Sequence, residues 1–527
     1  MKDRVSLTDF LMYHKETYPI SFHMPGHKGR STLYGIYGFG DFIKNVVGND
    51  ITEIPGADAL QQPRERIKDI MEGYAGLYGA KYTELLVNGS SAGLMASILG
   101  SVPRGGKLLM GRNSHRSVYG ALRLGGIDPV YIMPEIDDET GLQLGLDPNK
   151  IEAALIEDPD IKAVLVTSPN YYGVISDIER IASIVHLHGR ILIVDQAHGA
   201  HLKFFDYLRS EDGLPRRAAE NCGADIVVDS THKTLLSFTG SAILNICTER
   251  PDVSRISELL RMLQTTSPSY LLMGSLDINQ QILRMDGYNL IKNWDADIKY
   301  FYQEAAQIAG LGLIDRIDLD ETKVSITMSA LGLSGPKLAE ELEKRNIWVE
   351  LTHGDYVMLM TGIGNERGDY EDVLSALRDL SVQYSGRIQG VKSESSASKT
   401  EPAAQNAAQK QAKNEAQAAN KNVSQPLDKI TELRTPSSDS ALIERLEQRK
   451  IPDTYEEIPL YSAEGRVLYE SIIPYPPGSP IACPGEVLNK SVILYVRDQL
   501  VAQHVVLGVD EEGRVKVESD CVLFKEI

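Results

Sequence analysis

Between about residues 50 and 290, short apolar runs of β-prone residues alternate with amphipathic helical stretches. The five clearest runs are KLLMGR (107–112), PVYIM (129–133), AVLVTS (163–168), ILIVDQ (191–196) and DIVVDS (225–230). Alternation of this kind favours a mostly parallel sheet with helices on both faces. The runs are apolar almost throughout, as expected for strands that are buried on both sides. The sequence therefore predicts an α/β fold for this region.

The chain has 527 residues, which is too many for one hydrophobic core. We expect an N-terminal arm (1–48), a large α/β domain (49–290), a small α+β domain (291–385), a flexible linker (386–428) and a separate C-terminal α+β domain (429–527). The linker is predicted because its segment has almost no large apolar residue and cannot bury enough surface to fold alone. Its Ala, Gln and Lys content still permits transient helix.

The bulk properties exclude several classes of protein. A net charge of −19 disfavours nucleic acids and anionic membranes as partners. No apolar run reaches the roughly 18 residues of a membrane helix, and the first residues lack the pattern of a secretory signal. The four cysteines (Cys222, Cys247, Cys483 and Cys521) are far apart, so disulfides and zinc are not expected. A reducing cytoplasm fits best.

Two histidine pairs have spacings that resemble short metal motifs, His198 with His201 and His23 with His27. Neither pair has a third ligand nearby, and Pro25-Gly26 prevents the second pair from sharing one face of a helix. We therefore expect no metal site.

The first candidate site element is the segment VNGSSAG (87–93), which lies between a short strand and a helix. Its small residues, including Ser90, Ser91 and Ala92, would expose backbone N–H groups at a helix N-terminus, which is a ready phosphate site. The alternative is a plain helix cap.

Two further candidates follow the ends of predicted strands. His115 comes soon after KLLMG, at the edge of the sheet where α/β proteins bind ligands. Asp195 closes the strand ILIV, and a buried aspartate is costly unless it has a cationic or hydrogen-bonding partner. A protonated pyridine nitrogen would be such a partner. In both cases the alternative is a residue that caps a local turn.

Lys233 lies in STHKT (230–234), directly after the strand DIVVD. Covalent catalysis with a carbonyl cofactor needs a lysine whose pKa is lowered so that the neutral amine can attack, although an ordinary surface lysine is the alternative. The hydroxyl-rich turn at 265–270 could donate to a phosphate or be a plain loop. Together, the phosphate turn, histidine, aspartate and lysine are the parts that a pyridoxal-phosphate site requires.

Eight segments resemble those of the Orn/Lys/Arg decarboxylase family, in the short form typical of Gram-positive bacteria: FHMPGHKG, LLVNGSSAG, GRNSHRSVYGAL, TSPNYYGV, IVDQAHGAH, DSTHKTL, TSPSYLLMGSLD and IPYPPGSPIACPGE. They extend over the whole chain except the linker. The resemblance implies a fold-type-I pyridoxal-phosphate large domain and a C-terminal domain of the same family. It also implies a decarboxylase of arginine, lysine or ornithine in polyamine-type metabolism. A homodimer or larger assembly with shared active sites is expected.

The resemblance also implies roles for the candidate residues. Lys233 would form the Schiff base with the cofactor, His115 would stack on the ring and help with proton transfer, and Asp195 would keep the ring nitrogen protonated. His198 would lie close by. The phosphate would be bound by residues of the two strand-end turns, with a hydroxyl from a second subunit: Ser90, Ser91, Ala92, Ser230 and His232, then Thr266 or Ser267.

Two departures from the family bear on the substrate. Gln196 stands where the family often has Glu, and PGADALQQ (55–62) replaces a common Leu-Asp-Asn/Asp-Leu-His-His pattern. A cationic substrate side chain would need carboxylates, and Asp50, Glu53 and Asp58 are the candidates near this segment. Alternatively, these carboxylates cap turns or pair with nearby arginines (Arg64, Arg66).

Two other functions compete with decarboxylation. The first is an aminotransferase or another lyase of the same fold, but the predicted strands WVELT and YVMLMTGIG contain no arginine to bind a substrate carboxylate. The second is a catalytically silent family member that assembles with a true decarboxylase. Because Lys233 and Asp195 are both intact, the sequence favours an active enzyme.

Overall fold

The computed structural model describes residues 6–397, 446–475, 480–501 and 505–519, and of residues 386–397 and 475 it describes the backbone alone. The N-terminal arm contains four short helices and one short strand. The first helix is closed by a capping box between Ser6 and Asp9. The elements of the arm are α1 (Leu7–Thr17), β1 (Ile20–Phe22), α2 (Ser31–Ile36), α3 (Gly40–Lys44) and α4 (Val46–Asn49).

The large domain is built on seven strands that alternate with helices along the chain. Its elements are α5 (Arg66–Tyr78), β2 (Tyr82–Leu86), α6 (Gly89–Ser101), β3 (Lys107–Gly111), α7 (Arg116–Gly125), β4 (Asp128–Ile132), α8 (Pro148–Glu157), β5 (Ile161–Thr167), α9 (Ile178–Leu187), β6 (Ile191–Asp195), α10 (Leu202–Glu211), β7 (Ile226–Asp229), α11 (Thr231–Thr234), β8 (Ala242–Ile246) and α12 (Val253–Leu263).

These strands form one sheet in the order β2-β8-β7-β6-β5-β3-β4. All neighbours pair in parallel except β8, which runs antiparallel to β2 and to β7. Apolar clusters cover both faces of the sheet, so the strands are almost completely buried except the edge strand β4. The predicted α/β fold with a mostly parallel sheet is confirmed. One consequence positions the site: the carboxyl ends of β3, β6 and β7 open at the same edge of the sheet.

The small domain begins within a helix of 36 residues that it shares with the large domain. It contains an antiparallel sheet in the order β12-β13-β10-β9. Strand β1 of the arm pairs in parallel with β11, which ties the arm to this domain. Its elements are α13 (Tyr270–Ala305), β9 (Gly312–Leu313), β10 (Lys323–Thr327), α14 (Gly335–Glu343), β11 (Ile347–Val349), β12 (Leu351–His353), β13 (Tyr356–Met360) and α15 (Arg367–Ala397).

Two of these helices cross the domain boundaries that the sequence predicts. Helix α13 runs without a break through the position between residues 290 and 291. Helix α15 includes residues 386–397, the first part of the segment predicted as a linker. The rest of that segment, 398–428, lies outside the described residues.

The C-terminal domain is described from Leu446, so its predicted first residues, 429–445, also lie outside the described ranges. Two antiparallel strand pairs, β14 with β17 and β15 with β16, pack with one helix around a separate apolar cluster. Its elements are β14 (Tyr455–Pro459), β15 (Ile473–Tyr475), α16 (Lys490–Val501), β16 (Val505–Leu507) and β17 (Arg514–Glu518). Within the described part of the chain, no helix has both the length and the apolar character of a membrane span.

Candidate active site

Lys233 lies in the single helical turn α11, directly after β7 ends at Asp229. The N-terminal arm lies against this turn, because the N–H of Gly26 donates to the carbonyl oxygen of His232 at 2.8 Å. A Cβ atom on Gly26 would lie only 2.4 Å from the carbonyl oxygen of Leu235. The approach of the two backbones therefore requires glycine, and it holds the lysine turn from the side opposite the sheet.

The side chain of Lys233 is half-buried, and its amine donates to Nε2 of His198 at 2.9 Å. Burial lowers the pKa of Lys233 from 10.5 to about 8, although the carboxylates of Asp195 and Glu350 raise it. Burial and the charge of Lys233 hold the pKa of His198 far below its ordinary value. His198 is therefore neutral and accepts a hydrogen bond from the amine, while burial favours the neutral, nucleophilic form of Lys233.

Asp195 is the last residue of β6 and is buried next to Lys233. Its Oδ1 accepts the backbone N–H of Ala197 at 3.2 Å. Burial raises the pKa of Asp195, while the charge of Lys233 and this hydrogen bond lower it. A buried carboxylate in such surroundings is stabilised by a cation, which is the chemistry that a protonated ring nitrogen offers.

His115 is the N-cap of α7 and is fixed by its own helix. Its Nδ1 accepts the backbone N–H of Ser117 at 3.2 Å and lies 2.8 Å from the Ser117 hydroxyl. Burial, with the charges of Lys233 and Arg116, lowers the pKa of His115 to about 3. The ring is therefore neutral, and Nε2 remains available on the side away from the cap.

Several groups fit a phosphate at the same edge of the sheet. Ser90 and Ser91 lie half-buried in the first turn of α6, whose N-cap residue makes no side-chain hydrogen bond, and Ala92 is buried behind them. The hydroxyl oxygen of Ser230 is buried without a hydrogen-bond partner in the structure. The Nδ1 of His232 donates to the carbonyl oxygen of Ser241 at 2.6 Å. An orphaned hydroxyl and an open helix N-terminus are what an anionic group would satisfy.

Thr266 and Ser267 lie in an exposed turn, together with the segment that holds the substrate candidates. The Tyr270 hydroxyl donates to the carbonyl oxygen of Asp58 at 2.5 Å, and the side chain of Gln61 donates to the carbonyl oxygen of Thr265 at 3.1 Å. Glu53 also lies near Tyr270 and raises its pKa, after burial. Thus the turn that carries the predicted second-subunit hydroxyls packs against the segment that contains Asp58 and Gln61. Asp50, by contrast, is an exposed cap at the end of α4.

The carboxylate of Asp58 is occupied by backbone N–H groups before and at the start of α5. It accepts N–H groups from Ala59, Arg64, Glu65 and Ile67 at 2.8–3.2 Å. This geometry favours the alternative that Asp58 caps a turn.

The sequence did not indicate Glu350 of the small domain, whose charge raises the pKa of Lys233. Its Oε1 accepts the hydroxyl of Tyr171 at 2.8 Å, and its Oε2 accepts the backbone N–H of Met24 at 3.0 Å. The ring of Tyr171 in turn meets the ring of His198 edge-on, with centroids 4.8 Å apart. No local pattern marks Glu350, which follows the short strand β11.

Two further lysines within reach of the charge of Glu350 were also missed. Lys28 donates from Nζ to the carbonyl oxygens of His23 and Met360 at 2.6 and 2.9 Å. Lys323 donates to the carbonyl oxygen of His198 at 3.3 Å. Burial lowers the pKa of both lysines, that of Lys28 to about 7, and the charge of Glu350 raises it. In the sequence, Lys28 lies in the quoted segment FHMPGHKG, which could have drawn attention to it.

Known proteins place these observations in a family. Residues 5–317 match the model described as "Orn/Lys/Arg decarboxylase, major domain", and residues 439–509 match "Orn/Lys/Arg decarboxylase, C-terminal domain". An arginine decarboxylase of Bacillus subtilis (strain 168) is 31% identical over 513 residues, with 95% of this chain and 94% of the relative covered. An arginine decarboxylase of Bacillus anthracis is 29% identical over 514 residues, with the same coverage.

Among solved structures, the constitutive lysine decarboxylase of E. coli aligns with a TM-score of 0.67 at 19% identity, covering 97% of this chain and 81% of that one. Lysine decarboxylase A of Pseudomonas aeruginosa aligns with a TM-score of 0.68 at 19% identity, covering 97% and 80%. At this identity the likeness concerns the fold, and the predicted fold-type-I architecture with a separate C-terminal domain is confirmed.

Proposed function

The chain belongs to the Orn/Lys/Arg decarboxylase family and is a pyridoxal-phosphate-dependent decarboxylase, and we propose that its substrate is arginine, converted to agmatine and CO2. Arginine is favoured over lysine and ornithine because the relatives with about 30% identity are named arginine decarboxylases. The observation that carries the assignment as a pyridoxal-phosphate enzyme is the amine of Lys233, 2.9 Å from Nε2 of His198 and within reach of the charge of Asp195.

Each candidate residue would have its own role in binding the cofactor. Lys233 would bind the cofactor covalently, and Asp195 would hold a proton on the ring nitrogen through its charge. Ser90, Ser91, Ser230 and His232 would hold the phosphate, and Ala92 would line their cradle. When bound, pyridoxal phosphate accepts the electron pair that the substrate carboxylate leaves behind as CO2.

Proton transfer would fall to the groups around the amine. His115 would lie against the ring and could carry a proton at Nε2, since its Nδ1 is held by Ser117. His198 would orient Nζ of Lys233 by accepting its hydrogen bond at Nε2, the atom 2.9 Å away. Because the pKa values of both histidines are lowered, each is neutral at rest and would readily release a proton that it receives.

The cationic end of the substrate would be met by Glu350. The charge of its carboxylate raises the pKa values of Lys233 and Lys28. Hydrogen bonds from the Tyr171 hydroxyl and the backbone N–H of Met24 hold the carboxylate in place. A carboxylate that accepts two hydrogen bonds keeps capacity for a guanidinium. Glu53 and Asp58 remain candidates of a second kind, because they lie near Tyr270, at the end of the exposed turn that carries Thr266 and Ser267. Asp50, at the end of α4, is the third candidate.

That exposed turn supports a homodimer, or a larger assembly, with shared active sites. Thr266 and Ser267 are exposed in the single chain, as expected of hydroxyls that reach a phosphate in a second subunit. We also propose a cytoplasmic location, which the free thiols of Cys222, Cys247 and Cys483 support.

A CO2-release assay with arginine, lysine, ornithine and two neutral amino acids tests the proposed substrate. We expect arginine to give the highest kcat/KM. Borohydride reduction followed by peptide mapping should place a pyridoxyl group on Lys233, and Lys233→Ala should abolish turnover. A preference for lysine or ornithine would overturn the substrate, and an adduct on another lysine would overturn the site.

Glu350→Gln tests the proposed contact with the guanidinium. The change keeps the shape of the side chain and removes its charge, so KM for arginine should rise at least about tenfold with a smaller change in kcat. Glu343→Gln, at the exposed end of α14, is the matched control and should leave KM unchanged. Equal KM values for the two variants would remove Glu350 from the substrate site.

A further inference from the structure

An ion pair joins the C-terminal domain to the large domain, and it is buried. Arg112 and Glu486 expose only 1% and 4% of their surface. The guanidinium donates to both carboxylate oxygens, from Nε to Oε1 at 2.9 Å and from Nη2 to Oε2 at 2.7 Å. This two-point geometry fixes orientation as well as distance.

The C-terminal domain contributes more than one group to this contact. Arg112 also donates to the carbonyl oxygens of Pro480 and Ile481 at 2.8 and 3.4 Å. The backbone N–H of Cys483 donates to Oε2 of Glu486 at 2.7 Å, so the carboxylate is held from its own side. The side chain of Cys483 belongs to the apolar cluster on the sheet of the large domain. The segment 480–486 of the C-terminal domain therefore packs against the large domain through both polar and apolar contacts.

Arg112 is also part of the turn that carries His115. It follows the last residue of β3 and precedes His115 by three residues. Tyr119, one turn further along α7, donates from its hydroxyl to the carbonyl oxygen of Arg112 at 2.6 Å and accepts from Nη1 of the same residue at 3.2 Å. The hydrogen bonds between Tyr119 and Arg112 thus connect the two ends of the turn that contains His115. Glu486 fixes Arg112, which is one of these ends.

Stability alone does not account for this pair. Removing two charges from water is costly, and apolar side chains of similar size are often as stable or more stable at such positions. A bidentate pair that fixes both partners has a different consequence, because it gives the turn a single geometry.

We propose that Glu486 of the C-terminal domain is a positioning residue for His115 and acts through Arg112 and Tyr119. The role of His115 in this inference rests on the proposed function. The C-terminal domain thereby becomes part of the active-site support, although its described residues form a separate core.

Two variants test the coupling in the apoenzyme by amide hydrogen exchange. Glu486→Gln leaves the guanidinium without its charge partner. The double variant Arg112→Met with Glu486→Met removes both charges, so that no unpaired ion remains to unfold the chain. In both, we expect amides 113–118 to exchange at least about tenfold faster, while β6 and β7 keep their protection. Glu457→Gln, on the exposed side of β14, is the control and should change neither region.

Cofactor spectroscopy supplies a second measurement. The visible circular dichroism of bound pyridoxal phosphate should weaken in both variants and not in the control, because His115 would no longer be held against the ring. Unchanged exchange at 113–118, or faster exchange spread evenly over the whole large domain, would overturn the inference. Neither measurement requires turnover, so a failure of the proposed decarboxylation would appear separately in the CO2-release assay.

Discussion

The amine of Lys233 shows how surroundings set the chemistry of a single residue. Burial moves its pKa from 10.5 to about 8, and Asp195 and Glu350 limit that shift. Because a lowered pKa increases the share of neutral amine, covalent capture of the cofactor should become efficient at a lower pH than for an ordinary lysine.

We therefore expect the rate at which apoenzyme captures pyridoxal phosphate to rise between about pH 7 and about pH 9, with its midpoint near the pKa of about 8. Stopped-flow absorbance across this range gives the profile. A free amine such as N-acetyl-lysine amide is the control and should follow its own, higher pKa. A profile that continues to rise beyond about pH 10 would mean that burial does not control the amine.

Gln196, one of the two departures from the family pattern, directly follows β6 and is part of a buried network of polar side chains. Its side-chain amide donates to Glu220 at 3.0 Å and to Asp229 at 2.9 Å, and its oxygen accepts the backbone N–H of Ala219 at 2.8 Å. Asn245 donates to the same two carboxylates. Burial and the charge of Glu220 raise the pKa of Asp229 well above its ordinary value. Glutamine suits this position because its side-chain amide donates a hydrogen bond to each of the carboxyl groups of Glu220 and Asp229, which glutamate could not do.

Gln196→Glu should therefore destabilise the protein at neutral pH by at least about 2 kcal/mol, since a donor is lost and a third acid is added. The new carboxyl would have a raised pKa in the folded state, so the loss should be smallest at low pH and should grow as pH rises through that value. Urea unfolding at about pH 5.5 and about pH 7.5 measures the difference. Equal losses at both pH values would show that charge is not the cause.

The strand-end residues could be predicted from sequence because each directly follows an apolar run. Glu350 could not, since its partner Tyr171 lies 179 residues away and its backbone partner Met24 lies 326 residues away. Such contacts depend on how the small domain and the arm fold back over the sheet, and no local period encodes that packing.

At the scale of elements, the start of α5 explains the position of Asp58. The N-cap residue, Glu65, makes no side-chain hydrogen bond to the helix. Asp58 replaces it from outside by accepting the N–H groups of Arg64, Glu65 and Ile67. Burial raises the pKa of Asp58, but these hydrogen bonds outweigh burial and lower it. The carboxylate therefore stabilises the helix above its ordinary pKa, and this stabilisation is lost as pH falls through the lowered value.

Asp58→Ala should lower the free energy of unfolding by about 1 kcal/mol at neutral pH, the usual effect of losing a helix cap. The difference from the unaltered protein should shrink below about pH 4. Asp50→Ala, an exposed neighbour, serves as the control for stability. A rise in KM for arginine without loss of stability would instead favour the substrate role of Asp58.

The elements themselves were only partly predictable. The five apolar runs from 107 to 230 correspond to β3 to β7, because strands buried on both faces leave continuous apolar runs. The antiparallel β8 was not foreseen, since pairing direction depends on the path of the chain and not on the composition of the strand. The length of α13 was also missed, because a helix that serves two domains has no boundary signal between them.

At the scale of the whole molecule, the C-terminal domain is attached in two ways. The covalent connection runs through the predicted linker, and the docked contact joins Arg112 to Glu486, 374 residues apart in the chain. Composition predicts that the segment 386–428 cannot form a core, whereas the docked contact buries an ion pair and an apolar side chain. We therefore expect the contact, and not the covalent connection, to hold the domain in place.

Cutting the covalent connection separates the two contributions. A protease site placed within residues 400–425 and then cleaved should leave both fragments together on size-exclusion chromatography, with kcat/KM for arginine and the thermal midpoint nearly unchanged. Deleting 400–425 should have as little effect, because shortening a connection of this composition changes the entropy of loop closure only slightly. The same cleavage in the Glu486→Gln variant should release the C-terminal fragment, since the docked contact is then weakened as well. If the unaltered protein separates on cleavage, the covalent connection is what holds the domain, and the docked contact is too weak to position the turn of His115.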